Sequence, residues 1–218
     1  MKKYCIFDLD GTLLNTLSTI TYYLNGAITP LGATPVSEEE CKYFIGDGAA
    51  NLVRRALMSR GLYSEESFPD ILKSYKNAYD SAPLYLTEPY PGIPELIDGL
   101  CREGVTLAVL SNKPHEATMA VVREFFGDKF ACVQGGMEKI PLKPSPEAPL
   151  RLASVMGANP CEIAFIGDTA VDIETAKNMG AALAVGVSWG FRSECELKEA
   201  GADVIVDSPS LLYEVLKG

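Results

Sequence analysis

The residues able to do chemistry fall at a few well-separated places in the 218-residue chain. In residues 4–14, YCIFDLDGTLL, Asp8 and Asp10 alternate across Leu9 and point the same way in extended chain, and Gly11 then allows a sharp turn. Ser111, Asn112 and Lys113 follow the apolar run VTLAVL, Lys143 lies in the loop KPSP, and EIAFI is followed by Gly167 and Asp168, with Asp172 four residues on. Converging carboxylates can hold a hard cation or attack an electrophile, while a hydroxyl and a lysine can hold and neutralise an anion. Each group also has a plain structural reading. Asp and Gly favour turns, Ser, Asn and Asp cap helices, and a loop lysine is ordinarily solvated.

The elements that must position these groups are legible from apolar periodicity. Tyr4, Cys5, Ile6 and Phe7 read as a buried parallel strand. Leu17, Ile20, Leu24, Ala27, Ile28 and Leu31 recur at helical spacing, with Asn15 or Thr16 as cap. Ser37 and Glu40 have capping-box spacing and open a short helix through Phe44, which Gly46-Asp47-Gly48 interrupts. Ala49, Leu52, Val53, Ala56 and Leu57 form the apolar face of a third helix, and a fourth is expected over residues 64–82.

Beyond Pro83 the pattern changes to alternation. Strands are expected at 105–110, 131–134, 162–166, 182–187 and 204–206, and helices at 92–102, 116–126, 147–156, 169–179, 194–200 and 209–216. The expected fold is α/β, a doubly wound, mostly parallel Rossmann-like sheet formed by residues 1–14 and 83–218, with residues 15–82 inserted as a helical domain after the first strand. Ligands bind such sheets at the carboxyl ends of the strands, where each candidate group falls.

Composition narrows the function classes. The 29 acidic and 19 basic residues give a net charge of -10, which repels nucleic acid and anionic membranes. The six cysteines are scattered without a C-x-x-C pair, and the single histidine, His115, excludes multi-histidine metal sites. There is no basic, apolar leader and no apolar run of about 18 residues, so the cytoplasm is the expected compartment.

DLDGT at 8–12, Ser111-Asn112, Lys143-Pro144 and GDTAVD at 167–172 resemble the four motifs of the haloacid dehalogenase (HAD) superfamily, in order and over nearly the whole chain. The helical insertion looks like that superfamily's cap domain. IGDGAANLVRRAL at 45–57, SNKP at 111–114 and GVSWGFRSECELKEAGAD at 186–203 look like its phosphoglycolate phosphatase group. The resemblance implies a phosphatase in which Asp8 forms an aspartyl-phosphate and Asp10 serves as general acid and base. It further implies that Ser111, Asn112 and Lys143 bind phosphate, and that Asp8, the Asp10 carbonyl and Asp168 hold Mg²⁺ with Asp172 behind them. Asp10 favours phosphate transfer, because family members that cleave carbon–halogen bonds lack an acid there. Asn15 departs from the Asp of many relatives at a helix cap.

The implied substrate is a small phosphorylated metabolite, phosphoglycolate-like, with pyrophosphate or a sugar phosphate as alternatives on the same fold. A phospho-aspartate signalling module is the alternative from another class, and phosphate binding without catalysis a third. Gly46, Asp47, Gly48 and Arg54, with Lys42 and Arg55 near them, are the candidates in the insertion for reading the leaving group.

Overall fold

A computed structural model of the chain describes residues 2–218. In chain order the elements are β1 (Tyr4–Phe7), β2 (Leu14–Asn15), α1 (Leu17–Ile28), α2 (Glu38–Phe44), α3 (Ala49–Ser59), α4 (Phe68–Ser81), β3 (Glu88–Pro89), α5 (Ile93–Arg102), β4 (Thr106–Pro114), α6 (His115–Phe126), β5 (Cys132–Gly136) and α7 (Glu147–Met156), then β6 (Ile163–Gly167), α8 (Ala170–Met179), β7 (Leu183–Val187), α9 (Glu194–Ala200), β8 (Val204–Val206) and α10 (Pro209–Lys217). Two 3₁₀ turns, Thr29–Leu31 and Pro160–Glu162, complete the described elements. The chain divides into a unit of Met1–Asn15 with Pro89–Gly218 and a second unit of Thr16–Glu88, against sequence-expected limits at 14 and 83.

The first unit is built on a six-stranded sheet in the order β5-β4-β1-β6-β7-β8, with every adjacent pair parallel. The chain winds outward from β1 through β4 to β5, then returns to β1's other side and winds through β6, β7 and β8. The order therefore reverses between β1 and β6, the switch point at which doubly wound sheets bind ligands. Strand alternation divides the core. Cys5 and Phe7 join Leu107, Val109, Ala164 and Ile166 on one face, packed with α5, α6 and α10 side chains such as Ile97, Val121 and Leu212. Ile6 joins Ala108, Leu110 and Phe165 on the other, packed with Leu152, Ile173, Ala176 and Leu197 of α7, α8 and α9.

Register fixes the level of the strand ends. Phe7 lies opposite Val109 on β4 and Ile166 on β6. One step further along each strand lie Asp8, Leu110 and Gly167, so the polar groups that follow open at one height between three strands.

In the second unit α1 packs against α2, α3 and α4, and α3 against both α2 and α4. Leu24, Ile28, Cys41, Val53, Ala56 and Leu57 are fully enclosed. The Ser37–Glu40 capping box forms, with Glu40 N–H donating to Ser37 Oγ at 3.2 Å and Ser37 N–H donating to Glu40 Oε2 at 2.9 Å.

Proline accounts for two shifts from the expected boundaries. Helix α1 stops at Ile28 because Pro30 cannot donate to a helix, and the chain tightens into the 3₁₀ turn. Helix α4 begins at Phe68 rather than 64, with Pro69 in its first turn. Short β2 and β3, which were not expected, form their own two-stranded ladder where the chain passes between units. No helix among the described residues is long and apolar enough to cross a membrane.

Candidate active site

Asp8 leaves β1 with its backbone N–H still donating to Ile166 O at 2.8 Å, so the nucleophile candidate is fixed by the ladder itself. Its carboxylate is buried, and Lys143 Nζ lies 2.7 Å from Asp8 Oδ1. The same ammonium lies 2.6 Å from Asp172 Oδ1. Asp172 in turn closes a capping box on α8, its Oδ2 accepting from Thr169 N–H at 3.1 Å and Thr169 Oγ1 at 2.7 Å. Lys143 is thus no solvated loop cation. Its loop is clasped by the Asn112 amide, which accepts from Lys143 N–H at 2.8 Å and donates to Lys143 O at 3.1 Å.

Asp168 is wholly buried at the end of β6 and is gripped on both oxygens. Thr12 Oγ1 donates to Oδ1 at 3.0 Å, and the Phe191 N–H donates to Oδ2 at 2.8 Å. A side chain at Gly11 or Gly190 would collide with this carboxylate, so both must be glycine, and Gly11 also has φ +90°. Trp189 Nε1 donates to Thr12 O at 3.0 Å, tying the loop after β7 back to the turn after β1. The sequence reading gave this loop no local role. The cue was the Trp-Gly-Phe run at a strand end, with the only tryptophan in the chain.

One carboxylate oxygen from each of Asp8, Asp168 and Asp172 lies within 4.8 Å of the others. Burial raises Asp8 well above the usual carboxylate range, and repulsion from Asp172 and Asp168 adds to the rise against the pull of Lys143. Burial, then Asp172, pushes Asp168 up to about 7, while hydrogen bonds from Phe191 and Thr12 pull the other way. Lys143 is raised, since its bonds and charge pairing with Asp172 and Asp8 outweigh its burial. Converging hard oxygens with one shared lysine suit a small, hard dication such as Mg²⁺.

Asp10 stands apart from that cluster. Lys113 Nζ donates to Asp10 Oδ1 at 3.0 Å. Ser111 is buried just past Leu110, where the regular pairing of β4 with β5 ends, and its Oγ accepts from Lys113 N–H at 3.2 Å. The structure therefore brings Asp8, Asp10, Ser111, Asn112, Lys113, Lys143, Asp168 and Asp172 into one unit, and adds Thr12 and Phe191.

The candidates in the other unit form their own arrangement. Arg55 pairs with Asp47 Oδ2 and donates to Phe44 O at 3.0 Å, tying the Gly46-Asp47-Gly48 turn to the end of α2. Arg54 donates to Asn51 Oδ1 at 2.9 Å and lies 4.8 Å above the Phe68 ring. Lys42 pairs with Glu39 at 2.7 Å.

Residues 5–185 match the haloacid dehalogenase-like hydrolase family. The phosphoglycolate phosphatase of Vibrio parahaemolyticus is 30% identical over 219 residues, covering 98% of this chain and 96% of the relative. Phosphoglycolate phosphatase 1 of Pseudomonas aeruginosa is 30% identical over 212 residues, covering 95% of this chain and 77% of the relative. A crystal structure from Lactobacillus delbrueckii subsp. bulgaricus, provisionally named a phosphoglycolate phosphatase, has a TM-score of 0.92 at 34% identity, covering 99% of this chain and 98% of that one. A signalling receiver accounts for none of these likenesses. With its motif carboxylates and lysine gathered at the switch point of the sheet, the chain belongs to the haloacid dehalogenase-like hydrolase family and is an enzyme of the phosphatase type.

Proposed function

We propose that this enzyme hydrolyses a small phosphate monoester, with phosphoglycolate the leading candidate, through an aspartyl-phosphate on Asp8. The observation that carries the reading is the buried Asp8–Lys143 pair at 2.7 Å, a carboxylate kept beside a cation at the strand end where a phosphoryl group would lie. Asp8 attacks phosphorus as the ester oxygen leaves, and Asp10 gives that oxygen its proton. Water then attacks the aspartyl-phosphate while Asp10 takes the water's proton, releasing inorganic phosphate and restoring Asp8. One difficult displacement becomes two easier ones.

Lys143 offsets charge on the transferring phosphoryl group, and the Ser111 hydroxyl donates to one of its oxygens. Asn112 acts by holding the Lys143 backbone. Asp8, Asp168 and the backbone carbonyl of Asp10 would hold Mg²⁺, with Asp172 orienting Lys143 from behind. A dication bound there supplies positive charge against the phosphate and the carboxylates. Residues Thr16–Glu88 serve as the cap that selects the leaving group, in a cytoplasmic protein with no nucleic-acid or membrane partner.

The deciding experiment is a turnover screen over small phosphate esters, sugar phosphates and pyrophosphate, with Mg²⁺ and with excess chelator. Hydrolysis of a monoester that needs Mg²⁺ and vanishes in Asp8→Asn is the expected result. Preference for pyrophosphate would replace the substrate, and full activity in chelator would overturn the metal role.

A further inference from the structure

We infer that Lys113 is a positioning residue for Asp10, so that the two leading carboxylates are held by different lysines. The inference rests on the reading of Asp10 as general acid and base. Lys113 Nζ and Asp10 Oδ1 are 3.0 Å apart, with side chains only 4% and 14% exposed, so the pair is largely withdrawn from water. A charge-assisted hydrogen bond in such surroundings fixes a carboxylate rotamer more firmly than a neutral bond would.

The backbone is shaped to deliver this lysine. Leu110 of β4 pairs with Gln134 of β5, and the next pair is Pro114 with Gly136, so four steps on one strand match two on the other. Ser111, Asn112 and Lys113 lie in that irregularity, and bulges of this kind re-aim side chains beside active sites. Thr118 Oγ1 donates to the carbonyls of Lys113 at 3.2 Å and Pro114 at 3.0 Å. Gly135 completes the fit, because a Cβ there would stand 2.6 Å from both Lys113 O and the His115 Cα. Neither backbone atom can swing aside as a flexible side chain would.

Placement decides whether Asp10 can act. A general acid works within about 2.6–3.2 Å of the oxygen it serves, and a misplacement of about 1 Å can cost on the order of 10²-fold in rate. Asp10 sits on the turn after β1, and the Lys113 contact sets where its carboxylate points. Lys143, by contrast, serves Asp8 and Asp172. Losing Lys113 should therefore damage proton delivery to the leaving oxygen, whereas losing Lys143 should damage phosphoryl transfer whatever leaves.

The test uses Lys113→Met and Lys113→Arg in wild-type and Asp10→Asn backgrounds, in single turnover with a small alkyl phosphate and p-nitrophenyl phosphate. Lys113→Met should slow alkyl-ester cleavage about 10- to 100-fold and the aryl ester less, acting on kcat more than KM. Lys113→Arg should recover part of the loss, and Asp10→Asn with Lys113→Met should be no slower than Asp10→Asn alone. Gly135→Ala, which keeps the charge but presses on the Lys113 backbone, should give a weaker form of the same pattern and stands in should Lys113→Met fail to fold. Equal slowing of both esters, or full additivity with Asp10→Asn, would overturn the inference. If Asp10→Asn itself shows no leaving-group dependence, the general-acid reading falls and the inference with it.

Discussion

The Lys143 ammonium lies 2.7 Å from Asp8 Oδ1, and its 2.6 Å contact with Asp172 makes it the bridge between strand end and helix start. Removing it leaves buried carboxylates facing each other without their cation. Lys143→Met should lower the cleavage rate by about 10²- to 10³-fold, the usual cost of deleting a group aimed at transition-state charge. Single-turnover rates should fall equally for alkyl and aryl phosphates. A loss confined to alkyl esters would move Lys143 to the leaving-group side.

Asp8 and Asp10 should separate cleanly. Asp8→Asn should abolish turnover, by at least about 10⁴-fold, because an amide cannot become the phospho-enzyme. Asp10→Asn should cost on the order of 10²- to 10⁴-fold, more for alkyl than for aryl phosphates in the cleavage step, while hydrolysis of the phospho-enzyme slows for both. Equal slowing of the two cleavage steps would withdraw the acid role.

The raised carboxylates make both stability and metal binding depend on pH. Asp168 moves from an ordinary 3.8 to about 7, so without metal the folded state holds a proton that the unfolded chain releases near pH 4. Folded-state stability therefore declines as pH rises from about 4 to about 7 and levels off above that. A bound dication reverses the cost by pairing with the charged forms. The Tm gain from saturating Mg²⁺ should be greater at pH 8 than at pH 5, and calorimetry at pH 6 should record proton release on binding. A Tm gain independent of pH would rule out Asp168 as a ligand.

The grip on Asp168 predicts a role for a residue without a side chain. Gly190→Ala places a methyl group against Asp168 and Gly11 O and should displace the Phe191 N–H from its carboxylate. Altering such a supporting contact typically costs about 10- to 100-fold in metal affinity. Isothermal titration with Mg²⁺ measures this directly, and unchanged affinity in a folded variant would leave the loop after β7 with a packing role only.

Arg55 offers a test of the proposed cap. It fastens Asp47 and the Phe44 carbonyl, so Arg55→Met should loosen the Gly46-Asp47-Gly48 turn while leaving α3 intact. The ratio of kcat/KM between small esters should change several-fold, with phospho-enzyme formation retained. Proportionate loss on every substrate would place the turn in the catalytic machinery.

The sheet was readable in advance because each strand is a short apolar run bounded by turn residues, and the same runs carry the site residues at their ends. Residues 147–156, 194–200 and 204–206 were expected at the bounds observed, whereas β4 extends to Pro114 because its last residues pair irregularly with β5. That irregularity was the hidden part. Pairing between strands far apart in sequence leaves no local period, so the Lys113–Asp10 contact could not be read from SNKP. Asp172 was expected behind the metal ligands from the resemblance alone, whereas its closing of the Thr169 box is a T-x-x-D spacing that could have been found. The contact of Asn112 with the Lys143 backbone, 31 residues away, likewise leaves no local signature, and the expected role of Asn112 on phosphate stands beside it.

The place of β1 between β4 and β6 has a consequence for how the protein is made. Tyr4–Phe7 leaves the ribosome well before either of its partners, Thr106–Val109 and Ile163–Ile166. At about 5–20 residues per second, the second partner follows on the order of ten seconds later. Meanwhile Thr16–Glu88, whose helices contact near neighbours in sequence, can assemble on its own. The apolar YCIF segment, which ends one residue before Asp8, thus stays without its sheet partners until the chain beyond residue 166 has been made.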